Sequence, residues 1–130
     1  MGEFRPTIKL EHADSRGEIY SIALPGDKEL MLLHSKAGSL RGGHAHDVSE
    51  VVVLLTGVMR YHKVGAGGFE KYQALHGGDA SFNQAGEFHM GEFVEDTWLI
   101  EYKIGAGKET WRKDVDYEPY RSKVRANSAQ

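Results

Sequence analysis

The chain has 130 residues, with 16 basic and 19 acidic side chains and no cysteine. This length suits one folded domain, and the lack of cysteine excludes disulfides and thiolate chemistry. The net charge of −3, with both signs scattered along the chain, provides no basic surface for nucleic acid or anionic lipid. The longest aliphatic run, residues 51–55, is too short to cross a bilayer. We therefore expect a cytoplasmic protein that binds neither nucleic acid nor membranes.

Glycine-rich turns divide most of the chain into short apolar stretches. Sixteen glycines and only three prolines separate these stretches, a pattern typical of short strands joined by tight turns. No segment before residue 108 has the 3.6-residue periodicity of an amphipathic helix. The chain is therefore predicted to be all-β, as a sandwich or a barrel. The predicted strands cover residues 18–24, 29–35, 41–46, 50–56, 58–64, 69–75, 79–83, 88–94 and 97–104.

The C-terminal part of the chain differs from this strand pattern. We predict a single domain over residues 1–130, whose core extends from about residue 7 to residue 107. Residues 108–121 carry Trp111 and two tyrosines between charged side chains, which indicates an arm that docks on the barrel or on a neighbouring subunit. Residues 122–130 are polar, and we expect them to fray.

The stretch GSLRGGHAHDVSEVVVLLTG, residues 38–57, contains three potential metal ligands. His44 and His46 are two residues apart, so on a strand their side chains face the same side. A turn through residues 47–49 would bring Glu50 beside them. Two imidazoles and one carboxylate are the donor set of the facial triad that binds Fe(II) and related metals. A fourth candidate ligand, His89, lies downstream in GGDASFNQAGEFHMGEF.

These two stretches resemble the two sequence motifs of the cupin superfamily. In the second motif, Gln84 stands where proline is usual and Phe93 where asparagine is usual. The resemblance implies a double-stranded β-helix, or jelly-roll barrel, with one divalent transition metal per chain. Imidazole and carboxylate ligands suit iron, nickel, manganese, zinc and copper, so the identity of the metal stays open. The motif positions are matched by Gly38, His44, His46, Glu50 and Gly57, then by Gly78, Gly86 and His89.

Candidate acid–base groups lie on the strands around this motif. Four protein ligands leave one or two coordination positions open for substrate or water. An enzyme at such a site needs a general acid or base within hydrogen-bonding reach of the substrate. We predict this group among Tyr61, His62 and Tyr102.

The strand over residues 97–104 has two alternative orientations. Trp98, Ile100 and Tyr102 form its heavier and more apolar set, which we expect to face the barrel interior. In that orientation, Trp98 is a candidate contact for the substrate. The opposite orientation would place Glu101 and Lys103 inside the barrel, where they could transfer protons.

A second resemblance concerns the nucleotide-sugar ketoisomerases and epimerases of the cupin class. These enzymes have a D-x-R-G turn, like residues 14–17, and an R-G-x-H-A-H strand, like residues 41–46. The resemblance implies that His44 and His46 form a metal-free acid–base pair and that Arg16 and Arg41 bind a diphosphate. The chain departs from that pattern by keeping Glu50 and His89, because a metal-free isomerase needs neither.

Three functions are compatible with these patterns. The favoured one is a metal-dependent enzyme that acts on a small polar or carbohydrate-like substrate by oxygenation, isomerisation or lyase chemistry. The second is the metal-independent nucleotide-sugar isomerase. The third is a cupin that binds a small molecule without catalysis, because a fold does not determine a function.

The strand over residues 50–56 also predicts an oligomer. Val51, Val53 and Leu55 alternate with Glu50, Val52 and Leu54, so both of its faces are largely apolar. A strand that is apolar on both faces requires a cover on its outer side. We therefore predict a homodimer, the commonest soluble assembly.

Overall fold

The computed structural model describes residues 4–45, 48–64, 70–104, 115 and 116, and only the backbone of 43–45, 64, 70–72, 115 and 116. These residues form eleven β-strands and no helix, so none of them belongs to a helix capable of spanning a membrane. The strands are β1 (Ile8–Asp14), β2 (Gly17–Leu24), β3 (Lys28–Ser35), β4 (Leu40–Ala45), β5 (Glu50–Thr56), β6 (Val58–Val64), β7 (Glu70–His76), β8 (Ala80–Asn83), β9 (Phe88–Phe93), β10 (Thr97–Lys103) and β11 (Val115–Asp116).

The strands form two antiparallel sheets. The six-stranded sheet has the order β1-β2-β3-β10-β5-β8, and the five-stranded sheet has the order β11-β4-β9-β6-β7. From β3 onward the chain crosses repeatedly between the sheets, which is the connectivity of a jelly roll. The predicted all-β jelly roll is thus confirmed, and every predicted strand is present with limits that differ by at most one residue.

Two strands were not predicted. β1 precedes the first predicted strand and pairs with β2 at the edge of the six-stranded sheet. β11 lies within the predicted arm, and its backbone pairs with His44 and Ala45 of β4. The remainder of the predicted arm and the predicted tail lie outside the described residues.

The core lies between the two sheets. Alternate residues of β5 and β6 point inward, so Val52, Leu54 and Met59 are almost completely buried together with Phe93 and Leu99. Burial of each such side chain stabilises the fold by roughly 1.5–3 kcal/mol. The apolar wall of a cavity inside the barrel includes Val52, Met59, Phe93 and Leu99 from this set.

The expected orientation of β10 is wrong. Leu99 is in the core, Glu101 lines the cavity and Lys103 is buried, whereas Trp98 is 37% exposed on the opposite face. The size of the side chains misled the prediction because the outer face of the six-stranded sheet is itself apolar. Side-chain weight therefore does not distinguish the two faces of this strand.

The outer face of the six-stranded sheet carries apolar side chains on every strand. Cross-strand pairs such as Tyr20 with Leu32 and Ile100 with Val53 run across its centre. Trp98 stacks on His34, with ring centroids 4.7 Å apart. We call this surface the apolar outer face, and its members are Ile8, Leu10, Tyr20, Ile22, Leu30, Leu32, Val51, Val53, Leu55, Phe82, Trp98, Ile100 and Tyr102.

Candidate metal centre

Two of the four predicted metal ligands meet inside the barrel. Glu50, the first residue of β5, is fully buried, and its Oε1 lies 3.1 Å from Nε2 of His89 on β9. His89 is also buried, with its Nδ1 3.2 Å from the carbonyl oxygen of Glu87. When Nδ1 donates to this carbonyl, Nε2 has the lone pair that binds a metal.

The two predicted ligands on β4 are described less completely. His44 lies directly opposite His89 in the β4–β9 ladder, although its side chain is not described. His46 lies outside the described residues. Within the described side chains, no group of three or more histidine, aspartate or glutamate residues forms a metal cluster.

Neighbouring polar groups orient the Glu50 carboxylate. Nδ2 of Asn83 donates to Oε1 of Glu50 at 3.0 Å and to the hydroxyl oxygen of Tyr61 at 2.6 Å. Burial, with the negative charge of Glu50, raises the pKa of Tyr61 well above its usual value, so its hydroxyl stays protonated. Burial alone would lower the pKa of His89, but the hydrogen bond to Glu50 and its charge shift that pKa upward overall.

The donor chemistry of this buried pair fits a transition metal. A carboxylate and an imidazole are ligands that first-row divalent metals share. A positive charge between them would also offset the cost of burying the Glu50 carboxylate. Glu50 and His89 are therefore suited to hold part of a metal coordination shell.

A cavity of about 210 Å³, here called the inner cavity, lies beside this pair. Its apolar wall comes from the core. Its polar wall contains one guanidinium group from β4, one from the turn between β1 and β2, a carboxyl group, a phenol and an imidazole. These polar lining residues are Arg16, Arg41, Tyr61, His89 and Glu101.

Both guanidinium groups are held in place by the protein. Arg41 is buried, and its Nε donates to Oγ of Ser35 at 2.7 Å while Nη2 donates to the carbonyl oxygen of His34 at 3.2 Å. Arg16 lies on the turn between β1 and β2, where its Nη2 donates to Oδ2 of Asp14 at 2.6 Å. Hydrogen bonds from Arg16 and His12 hold the pKa of Asp14 well below its usual range. The two arginines favour an anionic group in the inner cavity.

Glu101 is the carboxyl group of the inner cavity. Burial and the nearby charge of Glu50 raise its pKa to about 7, against the opposing effects of His89, Lys103 and Arg41. A carboxyl group with this pKa is present in both protonation states near neutral pH. Glu101 can therefore both donate and accept a proton there.

No protein-family profile and no curated protein sequence matches the chain. Solved structures do resemble it. One is the capsular polysaccharide assembling protein CapF from Staphylococcus aureus, with a TM-score of 0.67 and 17% identity over 80% of this chain and 30% of CapF. KdgF from Halomonas sp. has a TM-score of 0.66 and 14% identity over 79% of this chain and 91% of KdgF. A variant of oxalate decarboxylase from B. subtilis has a TM-score of 0.65 and 16% identity over 94% of this chain and 34% of that enzyme.

All three proteins have the cupin fold. The present chain has the cupin fold. It spans only about a third of CapF and of oxalate decarboxylase, and at these identities the likeness extends to the fold alone.

In this cupin barrel, the remaining predicted site residues lie away from the inner cavity. Nε2 of His62 lies 3.5 Å from Oε1 of Glu92, on the side of β6 opposite Tyr61. Trp98 and Tyr102 belong to the apolar outer face. Tyr61, Arg16 and Arg41 are the predicted catalytic and substrate-binding residues that line the cavity.

Sequence reasoning left Glu101 as the less favoured alternative on its strand. The sequence feature that indicated an inward-facing Glu101 was the presence of two charged residues, Glu101 and Lys103, at alternate positions of an otherwise largely apolar strand. Charged side chains rarely face a barrel interior without a functional or paired role. In this barrel, that alternation marked the cavity side of β10.

Proposed function

We propose that this cupin is a metal-dependent enzyme that acts on a small polar or carbohydrate-like substrate bearing an acid group. The observation that carries the proposal is the buried contact between Glu50 and His89 beside a cavity with two arginines. His44 and His46 would complete the ligand set for one divalent metal. Such a metal, when bound, supplies a Lewis acid that polarises a substrate oxygen.

The chain's own residues have distinct roles in this proposal. Arg41 and Arg16 bind the acid group and fix the orientation of the substrate. Glu101 moves a proton to or from the bound substrate, and the neutral Tyr61 hydroxyl provides a second hydrogen-bonding group. The apolar wall of the inner cavity, from Val52 and Leu99 among others, excludes water from the reacting atoms.

Metal analysis of protein purified without chelators tests this proposal. We expect about one divalent metal per chain in the wild type, and a loss of affinity of roughly tenfold or more in His89→Ala and Glu50→Gln. His76→Ala is the matched control, because His76 is exposed on the far end of β7. A metal-free wild type, or unchanged metal content in both site variants, would contradict the proposal.

A second candidate function is the metal-independent nucleotide-sugar isomerase, with His44 and His46 as the acid–base pair. The two arginines favour it, because Arg16 and Arg41 line one cavity and a diphosphate needs several cationic contacts. A thermal-shift screen with deoxythymidine-diphosphate sugars, followed by assays of chelator-treated protein, separates the two functions. Ligand binding without any turnover would instead support the non-catalytic alternative.

We also propose a homodimer and a cytoplasmic location. The support for a dimer is the apolar outer face, which exposes Ile8, Leu10 and Phe82 by half or more of their surface. Exposed apolar patches of this kind mark interaction surfaces in many proteins. The cytoplasmic location is supported by the lack of cysteine.

A further inference from the structure

A second cavity of about 600 Å³, here called the outer cavity, lies over the inner faces of β1, β2 and β3. It shares Ile19, Leu33 and Glu101 with the inner cavity, so the two cavities adjoin. The inner cavity alone is smaller than the 300–1,000 Å³ typical of small-molecule sites, whereas the outer cavity lies within that range. The remaining polar residues that line the outer cavity are Thr7, Lys9, Glu11, His12, Ser21 and Glu29.

The charged side chains that line the two cavities are mainly of opposite sign. Glu101 lines both cavities. The inner cavity also contains two guanidinium groups, whereas the outer cavity also contains the carboxylates of Glu11 and Glu29 with one lysine, Lys9. Nζ of Lys9 lies 3.8 Å from Oε1 of Glu11, which also accepts a hydrogen bond from Ser21 at 2.8 Å. The outer cavity therefore has an excess of hydrogen-bond acceptors.

We propose that one elongated ligand occupies both cavities. Its acid group binds Arg41 and Arg16 in the inner cavity, and hydrogen-bond donors along its chain bind Glu11 and Glu29 in the outer cavity. The donors are hydroxyl or ammonium groups, so the ligand is a polyhydroxy acid or an ω-amino acid. Ala23 and Met31, in the apolar part of the outer cavity, pack against its carbon chain. This proposal rests on the proposed function only for the placement of the acid group.

Three acids with the same six-carbon chain test the proposal by isothermal titration calorimetry. Hexanoate has no donor on its chain, 6-aminohexanoate has one ammonium group, and gluconate has hydroxyl groups. We expect gluconate or 6-aminohexanoate to bind roughly tenfold to a hundredfold more tightly than hexanoate. The acid that gains affinity identifies the donor as hydroxyl or ammonium.

Glu29→Gln and Glu11→Gln should each remove much of this difference and leave the affinity for hexanoate unchanged. Glu95→Gln is the matched control, because Glu95 is exposed in the turn between β9 and β10. Equal affinities for the three acids, failure of all three to bind, or unchanged selectivity in both site variants would overturn the proposal. Measurements on metal-loaded and chelator-treated protein distinguish this proposal from the metal-dependent function. If the protein binds no metal but still prefers one of the two donor-bearing acids, only the metal-dependent function is contradicted.

Discussion

Arg41 contributes both to the fold and to the inner cavity. Its buried guanidinium donates to Ser35 and to the carbonyl of His34 on β3, which precedes β4 in the chain and belongs to the other sheet. The same guanidinium lines the inner cavity. An ammonium group has no planar fork and cannot reproduce these two contacts together with a bound anion. The geometry of this one side chain therefore couples the β3–β4 connection to the wall of the inner cavity.

For Arg41→Lys, we predict a tenfold to hundredfold loss of affinity for an acid ligand such as gluconate, with a loss of about 1–2 kcal/mol in the free energy of unfolding. Calorimetry and urea denaturation measure the two effects. Arg60→Lys is the matched control, since Arg60 is exposed on the far side of β6. Normal ligand affinity in Arg41→Lys, with reduced stability, would show that Arg41 serves the fold alone.

Glu101 should make the stability of metal-free protein depend on pH. Its pKa is raised from 4.5 to about 7, mainly by burial and by Glu50. Between these two pH values the folded state holds more protons than the unfolded state, so the free energy of unfolding falls as the pH rises. The contribution is fully present below about pH 4.5 and is lost as the pH passes through about 7.

Glu101→Gln removes this titrating group. In chelator-treated protein, we expect Glu101→Gln to unfold at a higher temperature than the wild type at about pH 8, with a smaller difference at about pH 5. Thermal denaturation followed by circular dichroism measures both. A difference between the two proteins that does not vary with pH would contradict the raised pKa of Glu101.

At the scale of whole elements, β4 depends on a glycine next to the predicted metal ligands. Gly42 has a φ of +96°, and the β4–β9 register shifts between Gly42 and His44. A Cβ atom at Gly42 would lie 2.8 Å from the carbonyl oxygen of His89 and 3.2 Å from Cα of Met90. The close approach of β4 to β9 thus needs a glycine at this position.

Gly42→Ala should therefore separate β4 from β9. We predict a loss of roughly 2–4 kcal/mol in the free energy of unfolding, from strain and backbone collision together, with weaker metal binding. Gly38→Ala is the control, because Gly38 has a φ of +85° but no atom within 4 Å of the added Cβ. We expect only about 1–2 kcal/mol there. Equal losses in the two variants, measured by urea denaturation, would exclude the collision with β9.

The limits of most strands were predictable because glycine-containing turns separate them. Which face of each strand points into the barrel was only partly predictable. β1 was missed because the alternation of Ile8 and Leu10 with Lys9 and Glu11 is short and ends at His12, where the pairing with β2 shifts register. β11 is two residues long, too short for a periodic signal. The alternation of β10 offered both orientations, and the choice failed because an apolar outer face looks like a core.

In the candidate site, too, features set by nearby residues in the sequence were predictable, whereas features that combine distant segments were not. Glu50 and His89 were predictable because each lies at a fixed spacing within a short sequence motif. The outer cavity was not, since its lining combines β1, β2, β3 and β10, which are separated in sequence by up to about 90 residues. Only the sheet order β1-β2-β3-β10 brings Glu11, Glu29 and Glu101 around one space.

At the scale of the whole molecule, both sides of the six-stranded sheet carry many apolar side chains, but they differ in the cavities and charged groups that they present. Its inner side supplies the acidic outer cavity and Glu101, and its outer side is the apolar outer face. Val53 and Ile100 are only half-buried on this outer face, so the part of their apolar surface that faces water contributes nothing to stability. Burying this surface would instead stabilise the six-stranded sheet. This sheet carries Glu101, and it holds Arg41 in place through the hydrogen bond to Ser35.

The apolar outer face therefore predicts a two-fold homodimer whose dissociation weakens the cavity. We expect the wild type to sediment as a dimer at about ten micromolar, and the double variant Leu55→Lys/Phe82→Lys to sediment as a monomer, since two charges on each subunit would have to be buried. Both side chains are about half exposed and neither lines the inner cavity, so the monomer should stay folded. The control is Lys36→Ala/Gln84→Lys, which alters exposed polar positions outside the outer face. A monomeric wild type in sedimentation velocity, or a double variant that still forms dimers, would contradict this assembly.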